Sequence, residues 1–472
     1  MNNNEMEKRY GLFTAICMVV GIVIGSGVFF KAQDILNYTG GNMLIGILAW
    51  IIGGAVMVIC AFNFANFATK YSKVNGVVDY AEAIVGPRYA YMTGWFLSVI
   101  YFPAMTAVLA WVSARYTLIL FNPAADITGG LCMALGGCYM CVMYGLNVLS
   151  PKLAGKFQIS ATAIKLIPLA TIVIIGTIVG LINGNTTEAF RSAASASGNS
   201  DSVFAGIGAA AFAYEGWIVA TSINSELKNS KKNLPIALVV GALIIMFIYI
   251  TYFIGLTGGA DIDTLKTQGA TVAFKNLFGG VGGTVLNVFV VISCLGTLNG
   301  LMLANTRSAY SLAVRGCGPA PKIFSQIDPA TNIPSNSGAL TLMFCGAWFF
   351  YFYGANLTKP VFGPFSFDSS ELPIITVYAL YIPIFIIFMI KEGKKNIFKN
   401  IVMPTLAVLA SLFMMFVAVY AHGITPYKAA AERGEFSFPV LFYLIVFTVI
   451  MIIGALLYKS HDAKTEKSNV QN

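Results

Sequence analysis

Gly21-Ile22-Val23-Ile24-Gly25-Ser26-Gly27-Val28-Phe29 lies in the middle of an apolar run over residues 11–33. Glycine is about 1 kcal/mol less favourable than alanine inside a helix, so three glycines and a serine weaken this one at its centre. Alone, the stretch reads equally as close helix packing through small residues, which membrane helices use, or as a break. A second stretch tips the balance. Phe212-Ala213-Tyr214-Glu215-Gly216-Trp217, within the run 203–226, sets a carboxylate beside a glycine near mid-span, and an ionisable group at that depth marks a functional position.

Around these stretches the chain is mostly apolar. Of 472 residues, 57% are hydrophobic and 10% charged, and the mean hydropathy is +0.76. Soluble domains carry about 25% charged residues, so 29 basic and 20 acidic side chains cannot cover a water-facing surface here. The bilayer is its solvent. Runs of about 20 apolar residues fall at 11–33, 43–67, 89–121, 129–149, 157–183, 203–226, 236–257, 281–313, 337–356, 371–390, 401–421 and 437–457. They predict an all-α integral membrane fold of about twelve transmembrane helices, since barrel strands would alternate and be half as long. The first run follows a polar decapeptide without a small-residue cleavage pattern and is expected to stay in the chain.

The net charge of +9 does not point to nucleic acid, because the basic residues form no patch interleaved with exposed aromatics. Membrane sidedness explains them better. With a cytoplasmic N-terminus, 20 of the 29 basic residues fall inside. Eight fall outside (Lys31, Arg115, Arg191, Lys266, Lys275, Lys359, Lys428 and Arg433), and Lys165 stays within a span. Both termini are therefore expected in the cytoplasm. The loops are short, and the external one at 184–202 is rich in Ser, Asn and Ala.

Eight cysteines lie mostly in apolar runs with no CxxC pair, and the two histidines, His422 and His461, sit near segment ends. These counts argue against a disulfide framework, a zinc site or a haem protein, and no metal or cofactor is expected. No nucleophile with its base and no paired carboxylates lie at membrane depth, so an enzyme is not expected. A channel would show repeated pore loops or rings of one charge.

Five spans separate the start of the first interrupted helix from that of the second. Five is odd, so a five-helix repeat enters the membrane the opposite way the second time, the pattern that points to a midplane substrate site in secondary transporters. The half-helix beginning near Gly25 offers N–H groups and a positive dipole end to an anion. Carbonyls freed near Val23, Ile24, Phe212 and Ala213 suit an ammonium. An anion site and a cation site side by side match the zwitterionic head of an α-amino acid.

At these residues the sequence resembles the amino acid–polyamine–organocation superfamily. Within it, the likeness is to the L-type amino acid transporter family and to bacterial serine/threonine and alanine/serine/cysteine exchangers. It runs from Gly11 to about residue 457 and rests on 25–29, 212–217, Glu226 with Asn233-Leu234-Pro235, and Ser293, Gly296, Asn299, Gly300 and Arg307. The resemblance implies a LeuT-like fold: a 5+5 inverted repeat with broken helices 1 and 6, plus two extra C-terminal helices. The chain then divides into a tail (1–10), a first repeat (11–183), an inverted second repeat (203–390), two further helices (401–457) and a tail (458–472). It implies alternating access, with the substrate carboxylate on the N–H groups of Ser26 and Gly27. The amine goes to carbonyls around Val23, Phe212 and Glu215, and the Phe212 ring becomes a lid. Gly25, Ser26 and Gly27 would then act through backbone, where substrate approaches closely.

Lys165 is the sharpest single feature. It lies roughly 12 Å into a core about 30 Å thick, counted from a helix start near 157. It either snorkels to the interface or sits between spans one, five and eight, where sodium-coupled relatives of the wider fold hold a cation, with Ser293 as partner. The second reading implies sodium-independent exchange; a Lys165 that cycles a proton implies a symporter instead.

Glu215 either contacts the substrate or points away toward neighbouring helix N-termini. Glu226 reads as an end-of-helix acid near Lys228, Lys231 and Lys232, in surface pairs of little energetic weight. Tyr214, Trp217, Tyr378, Tyr381 and Phe385 read as core or lipid-facing. Eukaryotic light chains of the family carry a cysteine between spans three and four that bonds a heavy subunit. The loop 122–128 here has none, which implies a stand-alone prokaryotic protein of the plasma (inner) membrane with no disulfide-linked partner.

The leading expectation is an exchanger of small neutral L-amino acids. Behind it stand a proton-coupled amino acid symporter and a polyamine or cationic amino acid antiporter.

Overall fold

The computed structural model describes residues 7–25, 27–71, 75–122, 125–195, 200–357, 360–369 and 371–470. Among them there is no β-strand, only an isolated parallel bridge between Tyr10 and Leu227. The first span is two helices, α1 (Leu12–Val23) and α2 (Gly27–Tyr38), inclined at 46°. Then come α3 (Met43–Lys70), a short α4 (Gly76–Ile84), α5 (Pro87–Phe121), α6 (Gly130–Leu149) and α7 (Pro151–Ile182). After α8 (Asn185–Ser195), α9 (Ser200–Tyr214) breaks into a 3-10 segment over Trp217–Glu226. Next are α10 (Ser230–Gly258), α11 (Ile262–Phe278), α12 (Gly280–Ala313), α13 (Ser335–Ala355) and α14 (Leu372–Lys395). Two more close the chain, α15 (Phe398–Lys428) and α16 (Pro439–Val470). Among the described residues, eleven helices are long and apolar enough to cross a membrane, or up to twelve when α1 and α2 count as one span. The all-helical architecture of about twelve spans read from the sequence agrees with these eleven to twelve candidate spans.

Local chemistry sets the boundaries. Pro87 and Pro151 open α5 and α7 from the first turn, where the missing N–H is harmless. Asn42 caps α3 by accepting from the Ile45 N–H at 3.1 Å, and Asp261 caps α11 from Thr264 at 2.9 Å. Two connections expected as loops are helical. In 184–202, α8 lays Ala189 and Ala193 inward and is pinned by the Asn42 side-chain amide on the Ala193 carbonyl at 3.1 Å. The link between α10 and α12 is α11. Neither holds an apolar run of membrane length, so a search for spans passes over both.

Burial is graded across the bundle. The C-terminal half of α1, nearly all of Trp217–Glu226 and α12 from Ser293 onward are buried in protein. On the outer helices α6 and α16, Leu131, Val142, Ile445, Val449 and Ile452 face outward, as lipid-facing surface requires. Both broken helices therefore stand at the centre. The eight cysteines are free thiols.

Candidate substrate site

The first break is stabilised from outside the helix. After Val23 the chain leaves helical geometry at Ile24 (φ −73°, ψ 81°), and the Gly25 N–H turns back onto the Val23 carbonyl at 2.7 Å. Gly27 packs so closely on α9 that a Cβ there would stand 3.3 Å from the Ala213 Cα. Ser26, expected to bind the substrate carboxylate, lies outside the described residues.

The second break turns on Gly216, whose φ of 102° lies in the left-handed region that L-residues avoid. The Glu215 N–H reaches the Phe212 carbonyl at 3.2 Å, and the chain tightens into the 3-10 segment. The breaks touch one another: a Cβ on Gly216 would lie 3.1 Å from Ile22 Cγ2. Sequence reasoning missed the residue that ties them. The Tyr249 hydroxyl on α10 lies 3.0 Å from the Val23 carbonyl and 3.1 Å from that of Ala213. One phenolic proton serves two acceptors, so one carbonyl at a time lacks it.

Lys165, wholly buried, does not snorkel. Its Nζ donates to the Gly21 carbonyl at 2.6 Å, the Ile24 carbonyl at 2.7 Å and the Ser293 carbonyl at 3.1 Å, with Thr297 Oγ1 at 3.4 Å. Three donors meet three carbonyls, which saturates an ammonium. Ser293 Oγ lies 3.2 Å from the Ile24 carbonyl and 3.1 Å from that of Gly25, and Thr297 Oγ1 is 3.2 Å from the Gly21 carbonyl. The carbonyl of Ile24, expected to be unpaired, is thus engaged by the lysine and the serine. Helix α7 starts at Pro151, not near 157, because the polar turn before the apolar run is also helical.

Glu215 accepts a hydrogen bond from the hydroxyl of Tyr101 and is 5% exposed. Tyr101 ends a π-helical turn in α5 over Leu97–Tyr101, a widening common at functional positions. Phe212 is partly exposed. Tyr214, Trp217, Tyr378, Tyr381 and Phe385 are buried core, not lipid-facing. Phe64 packs against Trp217 at 5.3 Å and Tyr381 at 4.9 Å between ring centroids.

Glu226 differs from its expected setting. It is fully buried, bonded to Arg307 Nε, with Arg9 Nε at 3.7 Å, instead of pairing with lysines at the surface. The cause is α12: Arg307 sits well inside that helix, 1% exposed, and needs a buried carboxylate. The tail closes over the pair, with the N–H groups of Arg9 and Tyr10 on the Glu226 carbonyl at 2.9 and 3.0 Å.

Likeness to known proteins stands beside this geometry. The family model described as amino acid permease matches residues 10–453. The serine/threonine exchanger SteT of Bacillus subtilis is 28% identical over 424 residues, spanning 88% of this chain and 91% of its own length. The human b(0,+)-type amino acid transporter 1 is 26% identical, over 78% of this chain and 79% of its own. The mouse Asc-type amino acid transporter 1 is 26% identical over 72% and 64%. These relatives are transporters, not enzymes. The chain is a multi-pass membrane protein that belongs to the amino acid permease family.

Proposed function

We propose that this permease exchanges small neutral L-amino acids, such as alanine, serine and threonine, across the plasma membrane by alternating access and without sodium. The observation that carries the reading is the Lys165 ammonium on the Gly21, Ile24 and Ser293 carbonyls. A fixed cation there performs the work of a coupling ion, stabilising the exposed carbonyls of the first break with no ion drawn from solution. Substrate binds between the breaks, carboxylate on the N–H groups of Ser26 and Gly27 and amine on carbonyls around Val23, Phe212 and Glu215, under Phe212 as lid. In this reading Glu215, held by Tyr101, meets the ligand side chain and favours one that donates a hydrogen bond. The name of the serine/threonine exchanger supports the size class.

Both termini are placed in the cytoplasm on the count of basic residues. The loop 122–128 carries no cysteine, which supports a protein that works without a disulfide-linked subunit.

A second reading has an observation of its own. All four hydrogen-bond partners of Lys165 are neutral oxygens, a shell that accommodates an amine as well as an ammonium, and this keeps proton-coupled symport in view. Counterflow in proteoliposomes decides. Exchange predicts that internal unlabelled serine or alanine accelerates uptake of labelled serine equally with and without sodium and with no dependence on a pH gradient. Uptake driven by a sodium gradient rejects the reading; uptake driven by a proton gradient selects the second.

A further inference from the structure

One helical turn outward from the breaks, α2, α9 and the ends of α14 and α15 enclose a cavity of about 550 Å3. Lys31, on α2, stands at its floor. Lys31 Nζ lies 2.9 Å from Glu371 Oε1, 3.3 Å from Asp34 Oδ2 and 5.1 Å over the centroid of the Phe212 ring. Glu371, which precedes α14, is shared: its other oxygen is 2.6 Å from His422 Nε2. His422 belongs to a π-helical turn over Tyr420–Ile424 in α15, a helix beyond the two repeats. The side chains of Lys31, Glu371 and His422 are 14%, 14% and 21% exposed. A line of contact thus runs from the Phe212 ring through a cation and a carboxylate to a histidine.

We propose that Lys31 is the positioning residue of the Phe212 lid, and that Glu371 and His422 set how tightly Lys31 is held, so that acid on this face fastens the lid. The proposal rests on the reading of Phe212 as a lid given above.

The ammonium faces the negative side of the ring, and Glu371 holds the same ammonium by hydrogen bond and charge. The groups facing His422 and its partners are the acids Asp34, Asp368 and Glu371, the bases Lys31 and Lys428, and the phenols Tyr38 and Tyr420. With a neutral imidazole, the three carboxylates outnumber the two ammoniums. A proton on His422 balances the set and turns its contact with Glu371 into an ion pair that joins α15 to the start of α14 and, through Lys31, to α2. Histidine is the side chain whose ordinary charge change falls between about pH 5 and 8. Acidification across that range tightens the cluster, and alkalinisation relaxes it.

The test reads the lid without requiring transport. Ala209 lines the cavity wall one turn before Ala213 and is 5% exposed. The rate at which a membrane-impermeant thiol reagent modifies Ala209→Cys therefore reports opening, after subtraction of the parent protein's labelling. Comparing His422 with His422→Gln cancels the pH dependence of the thiol itself. At about pH 5.5 the His422 protein labels at least about fivefold more slowly than His422→Gln, and at about pH 8.5 the two agree. Lys31→Met labels fast at both pH values, and Lys31→Arg restores slow labelling in acid. Equal ratios at the two pH values, or parental labelling of Lys31→Met, overturn the proposal. Glu371→Gln, expected to label fast at either pH, replaces His422→Gln if that variant does not reconstitute. If the labelling pattern holds while no amino acid shows counterflow, the exchange reading fails and the latch stands. Counterflow with flat labelling ratios does the reverse: the latch fails and the exchange reading stands.

Discussion

Lys165 is where one side chain bears most on the fold's centre. Lys165→Ala removes the cation that joins α7 to α1 and α12 and strips the carbonyls of Gly21 and Ile24 of their charged donor. A hydrogen bond to a charged group contributes about 1.5–3 kcal/mol, so loss of the set lowers counterflow by at least about tenfold. The protein should still elute from size exclusion as the parent does. Exchange at the parental rate in this variant ends the surrogate-cation role. A lone lysine in an apolar run declares itself in the sequence, although the sequence leaves snorkelling and burial between the spans both open. Tyr249 does not. In Ile248-Tyr249-Ile250-Thr251-Tyr252 two phenols lie three residues apart on an apolar helix, and only the rotation of α10 decides which one meets the breaks. Glu226 was obscured by its neighbours: three lysines follow it in the chain, whereas its partner is 81 residues away.

Among elements, the two breaks were legible because glycine and a carboxylate are costly in mid-helix and repeat at matching places in the span order. What the sequence hid was how they lean on each other. Gly216 carries a left-handed φ that costs an L-residue about 1–2 kcal/mol, and its missing side chain leaves room for Ile22. Gly216→Ala should therefore lower the thermal midpoint in detergent and slow counterflow severalfold. Gly137→Ala is the control, since a Cβ there meets nothing within 4 Å. Equal behaviour of the two alanine variants would mean that the second break tolerates a side chain. The helices α8 and α11 were illegible for a different reason. Helices lying outside the spans have no apolar run of bilayer length to announce them, and their form comes from capping by Asp261 and from packing under Asn42.

For the whole molecule, buried ion pairs fasten one end of the bundle. At the end that carries Tyr10, the Glu226–Arg307 pair is fully buried, and beside it Arg315 joins Asp79 and, at 2.9 Å, Glu82. Removing one partner of a buried ion pair destabilises by about 3–5 kcal/mol, since the other charge stays unpaired in the interior. Glu226→Gln should lower the thermal midpoint more than Glu82→Gln, whose carboxylate is 23% exposed. Equal losses would show that burial of Glu226 adds nothing. The overall plan of spans was readable from hydropathy; the fastening was not, because it depends on contacts between α12, the 3-10 segment and the tail that no local pattern encodes.

The bridge between Tyr10 and Leu227 has a practical meaning for anyone who handles this permease. The backbone of residues 9 and 10 is stitched to the segment after the second break, with the Lys228 N–H returning the bond to Tyr10 at 2.9 Å. The start of the chain is thereby held to the stretch that follows the second break. A tag fused directly ahead of residue 9 is expected to slow counterflow relative to the same tag placed after α16, and equal rates would show that this contact does not bear on turnover.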